Sequence, residues 1–364
     1  MRSDASGGET VGTDEGTETV MPGATMFDFQ PGQAEAMVRG IASAVGGDTG
    51  LTPTQTSVLG AISKYLFDLD TPIGQLDPLS APDLAAALDP VLARGAVRGM
   101  VTLEIVAEPV TPELVARVDS YAKTLGIDEN MLQVARDYSQ GAMEVAQQDY
   151  FRNSYVMEYY TKHGNDGSLH RTVREPDDRS PLDPALEAKW KTLESCAEGS
   201  LGRTVWDFYQ RRGFTLPGSP GSVDPLLAQH DFVHCVADYG TSATGEIEVF
   251  SFIAASIPDA SGFTYLVVIL GLFETGNVAL VPGVATASPG HLQLPGGTER
   301  MGDAIRRGLL LGRDVMGGID WFEYVDDSLD DVRSKLGLVP KSADAIAAGS
   351  LSADDPNAVF GKSN

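Results

Sequence analysis

At Thr52-Pro53, Thr111-Pro112, Asp183-Pro184 and Asp224-Pro225 the chain sets a short polar side chain directly before a proline. A polar N-cap followed by proline at the first helical position is a helix start, because the cap accepts an orphan N–H and proline has none to lose. The residues after these pairs support that reading. After Pro53, Val58, Leu59, Ile62 and Leu66 form one apolar stripe; after Pro112, Val115, Val118, Ala122 and Leu125 do the same until Gly126 stops the helix. A further helix follows from Asp128. After Pro184, Leu186, Trp190 and Leu193 face one way, and "GSLGRTVWDFYQRRGF" is a helix ended by Gly213. No alternating apolar and polar run of useful length and no internal repeat is present, so the expected fold is mostly α-helical.

The punctuation divides the chain. Residues 1–30 carry six acidic residues against the single Arg2 and few apolar ones, which predicts a disordered acidic tail. A helical bundle is expected over 31–160, a polar linker over 161–182, a second helical domain over 183–340 and a flexible tail over 341–364. His163 and His170 fall in the linker without a carboxylate or thiolate at ligand spacing, which reads as solvated histidine. Met143, Met157, Tyr155 and Tyr159 recur at helical spacing and read as core or interface.

The net charge is −25. Phosphate binding needs clustered Lys and Arg, so affinity for nucleic acid and adhesion to anionic lipid are both disfavoured. The longest apolar run, "YLVVILGLF" at 265–273, falls far short of the roughly 20 residues that span a bilayer. With two cysteines and no secretory leader, a reducing, cytoplasmic compartment is expected.

The stretch "QHDFVHCVADYGTSATGE" carries the chemistry. Successive helical residues rotate by about 100°. Relative to His230, Asp231 therefore lies near about 100° and His234 near about 40°, so the three project within a third of the circumference. "DYGTSATG" is a turn, and Glu246 follows on the first turn of the next helix, where a hairpin can return it to the histidines. Two imidazoles with two carboxylates suit Zn²⁺ first, and Fe²⁺ or Mn²⁺ as well. The opposed reading is a pair of satisfied helix histidines beside solvated acids. Cys235 points about 100° away from His234 and reads as a small buried residue.

Tyr239, in the turn, is a candidate proton donor or a packed turn tyrosine. The helix from Thr298 carries Arg300, Arg306, Arg307 and Arg313. Arg300 and Arg307 lie nearly on one face, able to grip a substrate carboxylate, or else forming a solvated basic face or pairing with the chain's many acids. Tyr265 to Phe273, with Phe250, Phe252 and Ile253, could line a groove for an isoprenoid tail or form plain core.

H-D-x-x-H-x11-E, met by His230, Asp231, His234 and Glu246, resembles the signature of the Coq-four-like family of coenzyme Q (ubiquinone) biosynthesis. "GSLGRTVWDFYQRRGF" upstream, "GEIEVFSF" downstream and "RMGDAIRRGLLLGRDVMGGIDWFEYVDDSLDDVRSKLGL" near the end are similar to that family's flanking segments, so the likeness covers 185–340. Gln229 and the segment 257–297 depart from the pattern. The resemblance implies a helical fold with zinc held by the four motif residues. It further implies a homodimer, peripheral on the inner face of the cell membrane among quinone-biosynthesis proteins. The implied activity is decarboxylation, coupled to hydroxylation, at C1 of a polyprenylated hydroxybenzoate, with Glu246 and Asp231 as catalytic carboxylates. A non-catalytic scaffold that presents prenyl lipid stays open beside it. In "VTPELVARVDSYAKTLGIDENMLQVA" the N-terminal bundle resembles TerB-like helical domains, without a diagnostic motif and with no function carried over.

Overall fold

The computed structural model describes residues 29–142, 146, 148–150, 154–162, 183–258, 262–275 and 290–358. Most of residues 1–30, the whole of 163–182 with His163 and His170, and Met143 lie outside them. Among the described residues there is no β-strand; an isolated bridge joins Ser200 and Ser328. The mostly helical fold expected from the cap-proline grammar is what the chain adopts.

The N-terminal helices are α1 (Gln33–Gly46), α2 (Pro53–Ala61), α3 (Ala81–Ala87), α4 (Pro90–Ile105), α5 (Pro112–Leu125), α6 (Met131–Ser139) and α7 (Tyr155–Lys162). Thr52 and Gln55 complete a capping box on α2, and Thr111 caps α5 through the Leu114 N–H. Such caps contribute about 1 kcal/mol each. Gly126 ends α5 at φ 69°, a left-handed turn that glycine adopts without a Cβ clash. The helix expected to run on from Asp128 instead breaks after Ser139, where Gly141 takes φ 73°.

The C-terminal helices are α8 (Pro184–Lys191), α9 (Leu201–Arg212), α10 (Gln229–Ala237), α11 (Ala243–Ser256), α12 (Phe263–Ile269), α13 (Gly297–Leu311), α14 (Leu329–Leu336) and α15 (Ala343–Ala347). The start signal at Asp224-Pro225 opens a hydrogen-bonded turn, with the Asp224 carboxylate accepting from the Leu226 N–H at 2.8 Å, and α10 begins at Gln229. α11 is buried on every side from Gly245 to Ser256, as befits a helix apolar all round. It is the central helix. α13 approaches it so closely that a Cβ on Gly308 would lie 2.1 Å from the Phe252 carbonyl oxygen.

The two helical groups meet. Tyr65, in the π-turn after α2, lies over Gly302 of α13, the Gln293 amide donates to Thr54 at 2.8 Å, and the Tyr150 hydroxyl donates to the Thr264 carbonyl at 3.1 Å. Their apolar side chains form one cluster, so the boundary read over 161–182 separates the groups in sequence without separating their cores.

Of the two readings of the apolar segment, core is the one that holds: Tyr265 to Leu270, with Phe273, Phe250, Phe252 and Ile253, is buried and lines no open groove. The expected tail changes. Residues 341–358, expected as part of a flexible tail, hold α15 and pack back on the hairpin before α11, where the Thr241 N–H donates to the Ala358 carbonyl at 2.7 Å. Their small, polar composition mimics a tail; burial of Ala345, Ala353 and Ala358 is what fixes them.

Candidate metal centre

One face of α10 is anchored by Phe232, which packs against Trp190 and stacks on Trp321 with ring planes 4° apart. The C-terminal end is braced by cations, as the helix dipole favours. Arg333 donates to the Cys235 and Val236 carbonyls at 3.2 and 2.9 Å, and Arg307 to the Ala237 carbonyl at 3.0 Å. Asp238 then takes φ 65°, its carboxylate held by the Ser352 hydroxyl at 2.6 Å. The remaining face carries His230 and His234.

Ser242 caps α11 through the Gly245 N–H, and Glu246 stands on the first turn. The hairpin closes tightly: a Cβ on Gly245 would lie 2.0 Å from the Gly240 carbonyl oxygen. Backbone cannot yield cheaply there. Gly245→Ala is therefore expected to displace the first turn of α11, destabilising the chain by about 1–3 kcal/mol and weakening its uptake of metal. Zinc titration of the variant beside wild type checks this; unchanged affinity would show that the hairpin does not position Glu246.

Potential ligand atoms of His230, Asp231 and His234 lie within 4.8 Å of one another, so these three residues could hold a metal ion. Glu246 lies outside that trio but beside both histidines: its Oε1 is 3.4 Å from His234 Nε2 and its Oε2 is 3.9 Å from His230 Nε2, while Asp231 Oδ1 is 3.6 Å from His230 Nε2. Ligand atoms about 2.1 Å from a tetrahedral ion sit about 3.4 Å apart, close to these separations.

The ring orientations are set from behind. His234 Nδ1 bonds the Tyr239 carbonyl at 3.0 Å and His230 Nδ1 bonds the Leu227 carbonyl, which fixes the Nδ1–H tautomer and points each Nε2 lone pair inward. His234 is 0% exposed and its Nε2 has no hydrogen-bond partner. A buried lone pair left without a donor is costly, and an ion satisfies it. The Tyr209 hydroxyl donates to Asp231 Oδ2 at 2.5 Å, leaving Oδ1 to the centre.

Burial disfavours a charged His234 ring, but the Glu246 carboxylate outweighs it and raises the histidine's pKa. Burial also pushes the Glu246 carboxyl upward, and His234 more than reverses the effect, so that its pKa is lowered. The pair thus favours a shared proton, which a metal ion would replace.

Of its two readings, Tyr239 is the packed turn tyrosine. Its carbonyl orients His234, while its buried hydroxyl accepts from Arg307 at 2.5 Å, and burial raises its pKa. Arg300 and Arg307 do not form a solvated basic face: both are buried, Arg300 beside the acid Glu248, as one of the expected readings has it, and Arg307 braced by backbone carbonyls. Arg300 donates to the Ala348 carbonyl and lies 3.5 Å from Glu248; Arg307 donates to the Val339 and Ala237 carbonyls. Cys235 is buried as expected, and burial pushes its thiol up, away from the thiolate a metal requires. Sequence reasoning missed Tyr209. It lies on the buried face of α9 with Val205 and Phe208, where spacing gives it no mark.

No protein-family model, curated protein or solved structure matches the chain. Among the described residues no helix is long and apolar enough to cross a membrane.

Proposed function

We propose that the chain is a zinc protein, with His230, Asp231, His234 and Glu246 as ligands, acting in quinone biosynthesis at C1 of a polyprenylated hydroxybenzoate. The observation that carries the metal half is the fully buried Nε2 of His234, which makes no hydrogen bond and faces the Glu246 carboxylate at 3.4 Å. The substrate half rests on the H-D-x-x-H-x11-E resemblance, as do the homodimer, the peripheral membrane site and the quinone-biosynthesis partners. Fe²⁺ and Mn²⁺ suit the same donors.

A bound ion supplies Lewis-acid polarisation of a substrate oxygen. The chain divides the remaining work between its carboxylates. Asp231 is fixed by Tyr209, so it positions and balances charge. Glu246 meets only the two histidine rings among the polar side chains described around it, and is the carboxylate able to carry a proton to or from substrate. Tyr239 and Leu227 hold the imidazoles in one tautomer.

The second reading, a metal-stabilised prenyl-lipid scaffold without turnover, is favoured by one finding: the arginines expected to grip a substrate carboxylate are engaged with backbone carbonyls. Metal-loaded protein incubated with a prenylated 4-hydroxybenzoate decides. Carbon dioxide release that disappears in Glu246→Ala supports catalysis; no release, or release indifferent to that change, leaves the scaffold.

A further inference from the structure

A second concavity lies at the C-terminal end of α10. Its volume is about 350 Å³, within the size range of small-molecule sites. Arg307, Arg333 and Lys341 line it, against the single carboxylate of Asp238. In a chain with 51 acidic and 26 basic residues, three cations on one wall are unusual company.

Their partners make them more so. Arg307 bonds two backbone carbonyls and a phenol, and Lys341 Nζ bonds the Leu351 carbonyl at 2.8 Å. Arg333 bonds two further carbonyls and approaches only Asp330, 3.5 Å away and well exposed. Neutral carbonyls satisfy N–H groups without neutralising charge, so compensation of Lys341 falls to Asp238 and to Glu248 and Asp303 behind the wall, neither of which lines the cavity. Asp238, in turn, already accepts from the Ser352 hydroxyl and the Ala353 N–H. Arg307 is only 3% exposed, yet its Nη2 makes no hydrogen bond to any described residue. A guanidinium so buried, with a donor left over on a cavity wall, is built to meet an oxyanion.

The rest of the lining is partly apolar: Leu338, Val339, Pro340 and Ile346 contribute to it, and Ile346 is 58% exposed. We propose that this cavity binds a small organic anion, its carboxylate or phosphate on Arg307 and Lys341 and its apolar body against Val339 and Ile346. The site is separate from the metal centre and does not depend on it: none of His230, Asp231, His234 and Glu246 lines it, and its Arg307 and Arg333 reach α10 only at the carbonyls of its last turn.

Calorimetric titration of the full-length chain with phenyl phosphate, inorganic phosphate, hexanoate and hexylammonium tests this. One phenyl phosphate or hexanoate is expected per chain, with hexylammonium, a cation on the same apolar body, not binding. Which anion binds more tightly assigns the phosphorylated or the carboxylate class, and weaker inorganic phosphate reports the apolar part of the lining. Ile346→Glu places a like charge on the lining without touching the core, and Lys341→Gln removes one cation. Each should weaken binding about tenfold or more, the change expected from one charge-assisted hydrogen bond, with the thermal midpoint of Ile346→Glu unchanged. The proposal is overturned if no anion saturates, if hexylammonium binds equally, if both variants bind as wild type does, or if His230→Ala abolishes binding.

Discussion

Chelation is expected to lower the thermal midpoint of the metal-loaded chain by on the order of 10 °C, and to do nothing to His234→Ala. An ion present at a thousand times its dissociation constant stabilises the folded state by about 4 kcal/mol, and a chain of this size loses a few degrees per kcal/mol. The His234 side chain also fills core, so its removal costs about 2–5 kcal/mol on its own account. Those two effects are separable because they do not add: a variant that cannot hold the ion has nothing for the chelator to remove. Tyr209→Phe provides the graded case. It keeps the ring and deletes only the hydroxyl on Asp231 Oδ2, so metal affinity should fall about 10–100-fold while the ligands remain. Differential scanning fluorimetry with and without chelator, with elemental analysis of the native protein, reads all three. Equal chelator shifts in wild type and His234→Ala, or native protein free of transition metal, would sink the metal centre.

The clustering of His230, Asp231 and His234 was legible in the sequence because their arrangement is local. One helical turn brings His230 and His234 to the same face, and the turn "DYGTSATG" places Glu246 on the first turn of the next helix, which starts earlier than the sequence suggests, at Ala243 under the Ser242 cap. What holds those ligands is not local. Tyr209 comes from another helix, and the Tyr239 carbonyl reaches His234 only because the chain turns at Asp238 with φ 65°. The arginines fail for the same reason. In an acidic chain, Arg300 and Arg307 on one helix face suggest solvent, substrate or acid partners; Arg300 does lie beside Glu248, but the carbonyls of Ala237, Val339 and Ala348 that engage the pair lie far off in sequence. The helices of the N-terminal group show the contrast again. Thr111, Pro112 and Gly126 bound α5 as expected, whereas nothing in "GMVTLEIVA" announces that Glu104 lies inside.

Glu104→Leu is expected to stabilise the chain by about 1–3 kcal/mol near neutral pH, the magnitude associated with a buried polar group lacking partners. Glu104 is 0% exposed on α4, and neither carboxylate oxygen has a hydrogen-bond partner. Burial drives its pKa well above the ordinary carboxylate value, and Asp119 adds to the rise; Arg136 and Arg117 oppose it without overcoming it. The sign comes from proton counting. Below the unfolded carboxyl value, about 4.3, both states are protonated and Glu104 exacts only the cost of a neutral buried acid. As pH rises through that value the unfolded chain releases a proton that the folded chain retains, so stability falls until the raised folded value is passed. The leucine variant has no such proton. Its advantage over wild type should therefore widen from about pH 4.5 to pH 7.5, and because both proteins carry the same histidines and the same Glu246, titration of the metal centre cancels in the difference. Glu104→Gln separates charge from polarity: its amide stays buried and partnerless but cannot ionise, so it should gain less than leucine and gain only at the higher pH. Urea unfolding of the three proteins at both pH values measures this. A leucine variant less stable than wild type at pH 7.5, or an advantage independent of pH, would mean that Glu104 has a partner in the folded chain that compensates its charge.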